Sequence, residues 1–369
     1  MFLRDWRFWL GTAISILFLG ILGYQVDLGK FRQSLQQANY WYVFPAIVLY
    51  FIAVYFRSVR WRYLLSPIAL LPVARLYPVV LTGYLANNIL PVRLGELVRS
   101  YYLSRRDNVP ASTALASVAV ERVYDGLTLL LFAMIAAPAL LMLGQFSGYG
   151  SAFGANQMLV ASTITGIFVA GLVVLTVLAK SSADGALAEW FLQMVPQTRG
   201  RNQIRSLVHG FIQGLAALNS PGKHLALLAF SLPVWLVEGS MYVLVGYSFG
   251  LDEFFPSLWV ILLAALLLTA TSNLVTSLPS AVGGIGPFEL VAQQTLVAMG
   301  VEATVAAAYS LFLHIGALWL PVNLAGLALL LASNVSMKQL TAATTASSDT
   351  GIAPAGEVSV NISVRAEDT

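Results

Sequence analysis

The sequence contains no cysteine and few charged residues. The lack of cysteine excludes disulfides, iron–sulfur clusters and thiolate chemistry. Asp, Glu, Lys and Arg make up only 10% of the 369 residues, whereas about 25% is usual in a soluble domain. The three histidines lie far apart in sequence. We therefore expect neither a metal ion nor another cofactor.

Apolar residues dominate instead: 58% of the chain is hydrophobic and the mean hydropathy is +0.77. A soluble fold cannot bury that much apolar surface, and a helix needs about 20 apolar residues to cross a bilayer. The composition predicts an all-α polytopic membrane protein with about 6–8 transmembrane helices. The clearest candidate spans are residues 8–26, 41–56, 112–143, 157–179, 224–250, 257–277 and 303–333.

Basic residues predict the orientation of these spans, because short cytoplasmic loops are enriched in Lys and Arg. Loops 144–157 and 251–255 contain neither, whereas loop 27–40 is an exception with Lys30 and Arg32. Both termini are therefore predicted to be cytoplasmic, in a multi-pass protein of the cell (inner or plasma) membrane. No convincing cleavage site follows the first apolar run, which we interpret as an uncleaved span. The supporting basic residues are Arg4, Arg7, Arg57, Arg60, Arg62, Arg105, Arg106, Lys180, Arg199, Arg201, Arg205, Lys223 and Lys338.

A polar stretch, "GYLANNILPVRLGELVRSYYLSRR" (83–106), interrupts the apolar pattern. Basic clusters lie on both sides of the segment that contains it, which conflicts with a single crossing. A segment that enters from the cytoplasm and turns back removes the conflict. Pro91 and Gly95 would break the helix at such a turn.

A second interrupted segment lies near residues 271–300. "ILPVRLGELV" (89–98) and "SLPSAVGGIGPFELV" (277–291) share Leu-Pro, then glycine, then Glu-Leu-Val, and Glu96 and Glu289 are 193 residues apart. Three spans separate the two elements, so they would enter from opposite sides. This predicts an inverted repeat with two broken or re-entrant helical elements, a pattern that marks the central site of transporters. A chance match of common residues is the alternative.

The two halves span about residues 1–180 and 224–338. A polar insert lies between them. Apolar residues recur there at helical spacing, which predicts a cytoplasmic interfacial helix at about 184–219. A helix packed against the bundle is an equal alternative. Residues 339–369 are rich in Ser, Thr and Ala and are predicted to be a disordered cytoplasmic tail.

Three motifs resemble a known family: "NNILPVRLGELVRSYYLSRR", "ERVYDGLTLLLF" and "LPSAVGGIGPFE". Residues 1–335 resemble the flippase-like membrane domain of the lysylphosphatidylglycerol synthases, and "RWRYLL" (60–65) is similar to the family's Trp-Arg turn after the second span. Family members that make aminoacyl-lipids carry a soluble transfer domain, which this sequence lacks. The resemblance therefore implies lipid translocation by a flippase-like transmembrane domain (1–338) rather than synthase activity.

The candidate substrate-binding residues at the first break are chosen for phosphate chemistry. Arginine binds phosphate bidentately, and Glu96 and Arg99 are spaced to pair on one helix face. Ionisable residues inside the next span are functional candidates by default. For the residues at the first break, the alternative is anchoring at the membrane interface. For the ionisable residues inside the next span, the alternative is a buried structural network. The candidates are Asn87, Asn88, Pro91, Arg93, Gly95, Glu96, Arg99, Glu121, Arg122 and Asp125.

The second half supplies further candidates. Glycines at the second break permit close approach of lipid or backbone, and amides freed there would bind an anion at the next helix start. A mid-span carboxylate is a candidate for cavity lining or proton coupling, and the asparagines either line a cavity or cap helices. A hydrogen-bonded structural role is favoured for His314. The candidates are Glu238, Asn273, Pro279, Gly283, Gly284, Gly286 and Glu289.

We expect a non-enzymatic translocator that moves a phospholipid or polyprenyl-phosphate-linked lipid with an anionic headgroup between leaflets. It would act as a homodimer or with a lipid-modifying enzyme, and it would bind no nucleic acid. One alternative is a membrane glycosyl- or phosphotransferase on lipid-linked sugars, although no Asp-x-Asp metal-binding motif is present. The other is a non-catalytic accessory subunit of a lipid-modifying enzyme.

Overall fold

The computed structural model describes residues 6–24, 26–89, 95–146, 170, 173, 218, 220–276 and 282–332. In these residues the chain forms helices joined by turns, and no strand is present. The all-α class is confirmed. The helices are α1 (Trp6–Tyr24), α2 (Leu28–Gln37), α3 (Val43–Leu65), α4 (Val73–Ile89), α5 (Gly95–Asp107), α6 (Ala111–Met142), α7 (Pro221–Ser248), α8 (Leu258–Val275), α9 (Pro287–Ala298), α10 (Ala303–Leu311), a π-helix (Phe312–Trp319) and α11 (Leu320–Ala332).

Five helical stretches in the described part are long and apolar enough to cross a membrane: Tyr40–Leu65, Ala111–Met142, Gly222–Ser248, Leu258–Val275 and Ala303–Ala332. They match five of the predicted spans. The predicted first span corresponds to α1, whose Thr12–Tyr24 portion makes a 91° bend with α2. The predicted span 157–179, the interfacial helix at 184–219 and the tail at 339–369 lie almost wholly outside the described residues.

The first interrupted segment folds back on itself. The backbone N–H of Gly95, the first residue of α5, donates to Asn87 Oδ1 near the end of α4 at 2.8 Å. One helical turn earlier, a Cβ on Gly83 would lie 3.2 Å from Arg99 Cβ. The two helices are therefore antiparallel and tightly packed, as expected for a chain that enters and returns.

The second interrupted segment has the same arrangement. Thr271 of α8 and Thr295 of α9 share a hydrogen bond of 3.0 Å between their hydroxyls. At the break itself, Gly283 and Gly284 have φ of +68° and +77°, which glycine adopts readily because it has no Cβ. α9 therefore also runs back along α8.

The main helix contacts of the first half recur in the second. α4 packs on α5 as α8 packs on α9, and α5 packs on α6 as α9 packs on α10. Across the halves, α4 contacts α11 as α8 contacts α6, while α3 contacts α7. The structure therefore contains two matched halves in which α3 and α7 are counterparts that meet at the centre.

The central α3–α7 pair is antiparallel. Tyr42 at the start of α3 stacks with Tyr247 at the end of α7, with ring centroids 5.9 Å apart. At the other end of the pair, Tyr63 lies 5.1 Å from Phe230. A pseudo-two-fold axis that exchanges two antiparallel helices is perpendicular to both of them. Because α3 and α7 are membrane-spanning in length, the axis lies in the membrane plane, the geometry of an inverted repeat.

Two predictions from basic residues need correction. The predicted second span ended at residue 56, but α3 continues to Leu65, so the "RWRYLL" motif is helical rather than a turn. Arg57 and Arg60 are 5% and 0% exposed and are not loop charges. Positive-inside counting cannot use buried arginines, so the predicted orientation rests on the remaining basic residues alone.

Candidate functional site

A polar cavity of about 170 Å³ lies between the two halves. Liquid water occupies about 30 Å³ per molecule, so the cavity holds several waters or a phosphate-sized group. Its wall includes side chains and backbone from both interrupted segments and from the central α3–α7 pair. Nine predicted site residues line it: Asn87, Asn88, Glu96, Arg122, Asp125, Glu238, Asn273, Gly283 and Gly284.

Other predicted site residues are not on the wall. Arg99 and Glu121 are buried behind it, Gly95 is packed against α4, and Gly286 and Glu289 lie at the start of α9. Their contacts are structural ones within and between helices. Pro91, Arg93 and Pro279 lie outside the described residues.

Arg57 and Glu238 join α3 to α7 beside the cavity. Arg57 Nη2 donates to Glu238 Oε2 at 2.7 Å, and the side chains are only 7% and 4% exposed. The Arg57 guanidinium also lies over the Trp235 ring, 4.8 Å from its centroid. Sequence reasoning placed Glu238 in mid-span, but it missed Arg57 because a charge at the end of an apolar run resembles a loop residue.

Arg60, fully buried in α3, ties α3 to α6 and α7. Its Nη1 donates to Asp125 Oδ1 and to Ser231 Oγ, both at 2.7 Å, and its Nη2 donates to Glu121 Oε1 at 3.3 Å. Glu121 and Asp125 are four residues apart, on one face of α6 as their spacing predicted. A single guanidinium bridges them.

The predicted Glu96–Arg99 pair does not form. Arg99 instead lies 2.7 Å from Glu121 of α6 and 3.6 Å above the ring of Trp61 in α3. Such a desolvated cation–π contact adds about 2 kcal/mol. Arg99 thus pairs with Glu121 of the neighbouring helix α6, which is more deeply buried than Glu96 on its own helix.

Glu96 pairs with Arg122 across the α5–α6 contact. Arg122 Nε lies 3.3 Å from Glu96 Oε1, and its Nη1 lies 3.4 Å from Asp125 Oδ2. Both contacts are longer than the 2.7 Å contacts that Arg57, Arg60 and Arg99 each make with a carboxylate, and the Arg122 side chain is 35% exposed. Arg122 therefore connects the first interrupted segment to α6 through an open position on the cavity wall.

Together these side chains form a network with equal numbers of positive and negative charges. Buried charges cost several kcal/mol each unless an opposite charge and hydrogen bonds compensate them, and here four cations meet four anions. The network is close to neutral overall, which allows it to exist at membrane depth. Its members are Arg57, Arg60, Arg99, Arg122, Glu96, Glu121, Asp125 and Glu238.

At the second break, the carboxylate of Glu289 occupies the backbone N–H at the start of α9. Glu289 Oε2 accepts the Gly286 N–H at 2.6 Å, and its Oε1 lies 2.7 Å from His314 Nδ1 in the π-helix. The expected binding of an external anion to this N–H is therefore not available while Glu289 stays in place. The predicted hydrogen bond of His314 is confirmed, and its ring also reaches the cavity wall.

Unpaired polar atoms near the cavity are mostly donors. Nε and Nη1 of Arg57 and Nε1 of Trp319 are buried without a hydrogen-bond partner among the described residues, and both side chains line the cavity. Asp125 Oδ2 is an acceptor without a hydrogen bond, although Arg122 lies 3.4 Å from it. A group rich in acceptor oxygens would satisfy the free donors. The described residues contain no cluster of three or more potential metal ligands.

Residues 8–325 match the family described as "Lysylphosphatidylglycerol synthase TM region". The chain belongs to this family. The matched residues run from α1 into α11 and include both interrupted segments. The resemblance expected from the three motifs is thus confirmed, and the cavity lies wholly within the family's transmembrane region.

Relatives of this family member come from archaea. The chain is 24% identical to "UPF0104 membrane protein" of Methanothermobacter thermautotrophicus, over 84% of this chain and 90% of that protein. It is also 24% identical to "Glycosyltransferase AglD" of Haloferax volcanii, over 76% of this chain and 47% of that protein. The chain thus spans about half the length of AglD. No solved structure matches the chain.

Proposed function

We propose that the protein moves a lipid with an anionic headgroup, such as a phospholipid or a polyprenyl-phosphate-linked lipid, between the leaflets of its membrane. The single observation that carries this is the polar cavity between the matched halves. A bare phosphate in hydrocarbon costs tens of kcal/mol. A polar chamber at that depth is what a crossing headgroup needs.

The free donors support an anionic headgroup. Two nitrogens of Arg57 and the indole N–H of Trp319 have no hydrogen-bond partner in the part of the chain that the structure describes. A phosphate group offers several acceptor oxygens and binds arginine with fork geometry. Because the surrounding charge network is balanced, binding an anion also requires a cation that can leave its partners. Arg122, with its longer contacts and partial exposure, is that cation.

The matched halves support alternating access. The two interrupted segments contribute to the same wall, Asn87 and Glu96 from one half and Gly283 and Gly284 from the other. In an inverted repeat, rocking of one half against the other opens a shared central site first to one side and then to the other. A lipid headgroup would enter between helices while its acyl chains remain in the bilayer.

Reconstitution tests the proposal. Purified protein is placed in vesicles with labelled phosphatidylglycerol, and headgroup accessibility to an external quencher is followed. We expect accessibility to exceed half of the label. In the same assay Arg122→Gln and Glu96→Gln would slow movement at least tenfold, while Glu253→Gln, at an exposed turn, would retain the wild-type rate. Accessibility that stays at about half of the label with wild-type protein would refute translocation.

Two further arms separate the alternatives. Vesicles supplied with a nucleotide sugar and a polyprenyl phosphate report sugar transfer, the activity named for the relative AglD. Sugar transfer without lipid movement would indicate a transferase. Lipid movement that appears only after a lipid-modifying enzyme is added would indicate an accessory subunit. Wild-type rates in both Arg122→Gln and Glu96→Gln would remove the cavity from the pathway.

A further inference from the structure

The two matched halves carry an equivalent contact between a carboxylate and a different basic side chain. Glu96 at the start of α5 pairs with Arg122 in α6, and Glu289 at the start of α9 pairs with His314 in the π-helix that continues α10. The two carboxylates are 193 residues apart and the two basic residues are 192 residues apart. The contacts therefore occupy the same position in each half.

The two contacts differ in whether the charge of the basic side chain depends on a proton. An arginine side chain stays charged at every physiological pH, so the Glu96–Arg122 contact has a fixed charge. A histidine gains or loses its charge between about pH 5 and 8. Protonated His314 makes a neutral pair with Glu289, and loss of that proton leaves one uncompensated negative charge at the second interrupted segment.

His314 is placed to exchange a proton with the cavity. Its ring stacks on Phe288, with centroids 4.2 Å apart, and it lies on the cavity wall while Glu289 behind it is fully buried. A Cβ on Gly284 would lie 4.0 Å from His314 Cε1. The cavity proposed for the headgroup therefore gives a proton direct access to the pair.

The pair also holds the second break in its present shape. One carboxylate oxygen of Glu289 accepts the Gly286 N–H and the other meets His314. Gly286 has φ of +101°, a conformation that depends on its surroundings. A change in the charge of His314 therefore acts directly on the backbone of the interrupted segment.

The elements around His314 carry further ionisable groups that set its environment. α9 contributes Glu289, α10 carries Tyr309, whose hydroxyl donates to the Tyr242 carbonyl, and α11 carries no charged residue. The remaining groups share the cavity wall: Tyr50 and Arg57 of α3, Tyr84 of α4, Glu96 of α5, Arg122 and Asp125 of α6, and Glu238 of α7.

We propose that the Glu289–His314 pair is a proton-binding site that couples headgroup movement to a proton gradient. This rests on the proposed lipid translocation. With His314 protonated, the Glu289–His314 pair carries no net charge and the site accepts an anionic headgroup. When the site opens to the side of lower proton concentration, the proton leaves, the Glu289 charge is uncovered, and the headgroup is repelled to the same side.

A leaflet-distribution measurement tests the coupling. Vesicles containing the protein and labelled phosphatidylglycerol are given a gradient of one pH unit, and protein-free vesicles are subtracted. Moving one proton together with one singly charged anionic lipid is electrically neutral, so a tenfold leaflet ratio is expected, with lipid enriched on the side of lower proton concentration. His314→Arg, which copies the other half, is expected to give equal leaflets with or without the gradient.

The matched control is His224→Gln. His224 bonds Tyr124 and the Leu218 carbonyl and is not on the cavity wall, so its removal should leave the gradient response intact. If His314→Arg does not fold, His314→Gln also lacks a titrating group and carries the same expectation. A gradient response that persists in the folded His314 variant would overturn the coupling.

Two other outcomes are distinct. Wild-type protein that equilibrates lipid but ignores the gradient would overturn the coupling and leave translocation standing. Wild-type protein that moves no lipid under any gradient would overturn translocation, and the coupling with it. Nuclear magnetic resonance of labelled histidine reports the site directly: a His314 ring that keeps one protonation state from about pH 5 to 8 would also overturn the coupling.

Discussion

Removing one member of the Arg57–Glu238 pair should destabilise the protein more than removing both. The pair is short, at 2.7 Å, and both side chains are more than nine-tenths buried. Loss of one partner leaves a buried charge uncompensated, which costs about 3–5 kcal/mol. Arg57→Met or Glu238→Leu alone is therefore expected to lower the folded-to-unfolded ratio roughly 100- to 4,000-fold.

The double variant Arg57→Met/Glu238→Leu leaves no charge behind. Replacing a whole buried pair with apolar residues is often neutral or stabilising, so its stability should return to within about 1 kcal/mol of wild type. Unfolding in mixed micelles of increasing denaturing detergent measures all four proteins of the cycle. Arg105→Met, at an exposed side chain, is the surface control and should change stability by no more than about 0.5 kcal/mol.

The same four proteins separate a structural role from a transport role. If Arg57 supplies donors to the headgroup, the stable double variant should still move lipid at least tenfold more slowly than wild type. A double variant as unstable as the sum of the single variants would refute the idea that the two charges compensate one another. A stable double variant with wild-type transport would refute a role for Arg57 in the pathway.

Two glycine substitutions test the packing at the breaks by the same unfolding assay. A Cβ at Gly95 would lie 2.2 Å from the Gly83 carbonyl oxygen, so Gly95→Ala should cost about 1–3 kcal/mol, whereas Gly20→Ala, with open space around it, should be neutral or stabilising. Gly286→Ala combines φ of +101° with a contact 3.0 Å from the Ser15 carbonyl and should cost at least about 1–3 kcal/mol. Equal stability of Gly95→Ala and Gly20→Ala would contradict the tight α4–α5 contact, and a neutral Gly286→Ala would contradict the geometry of the second break.

The fold was accessible from sequence because its main signals are local. Span length follows from runs of apolar residues, and the Leu-Pro, glycine and Glu-Leu-Val pattern around Glu96 and Glu289 reports two breaks with the same local chemistry. The relation between the halves is then a matter of counting spans between them. None of these inferences needs knowledge of which side chains meet.

The site was only partly accessible, because its partners are distant in sequence. Arg57 finds Glu238 at 181 residues' separation and Arg60 finds Ser231 at 171, so local spacing carries no trace of either contact. The expected Glu96–Arg99 pair had ideal spacing, but both residues instead pair with residues of α6. His314 had a signal that was not used: it aligns with Arg122 when the repeat is extended beyond the breaks.

The central α3–α7 pair has a consequence for biosynthesis. Arg57 emerges from the ribosome 181 residues before Glu238, and at about 5–20 residues per second that interval lasts roughly 10 to 40 s. The carboxylates that Arg60 contacts on α6 follow it by only 61 and 65 residues, whereas Arg57 lacks its carboxylate on α7 for the whole interval. Because an unpaired arginine at membrane depth is costly, we expect α3 to keep Arg57 near the headgroup layer or water until α7 is inserted.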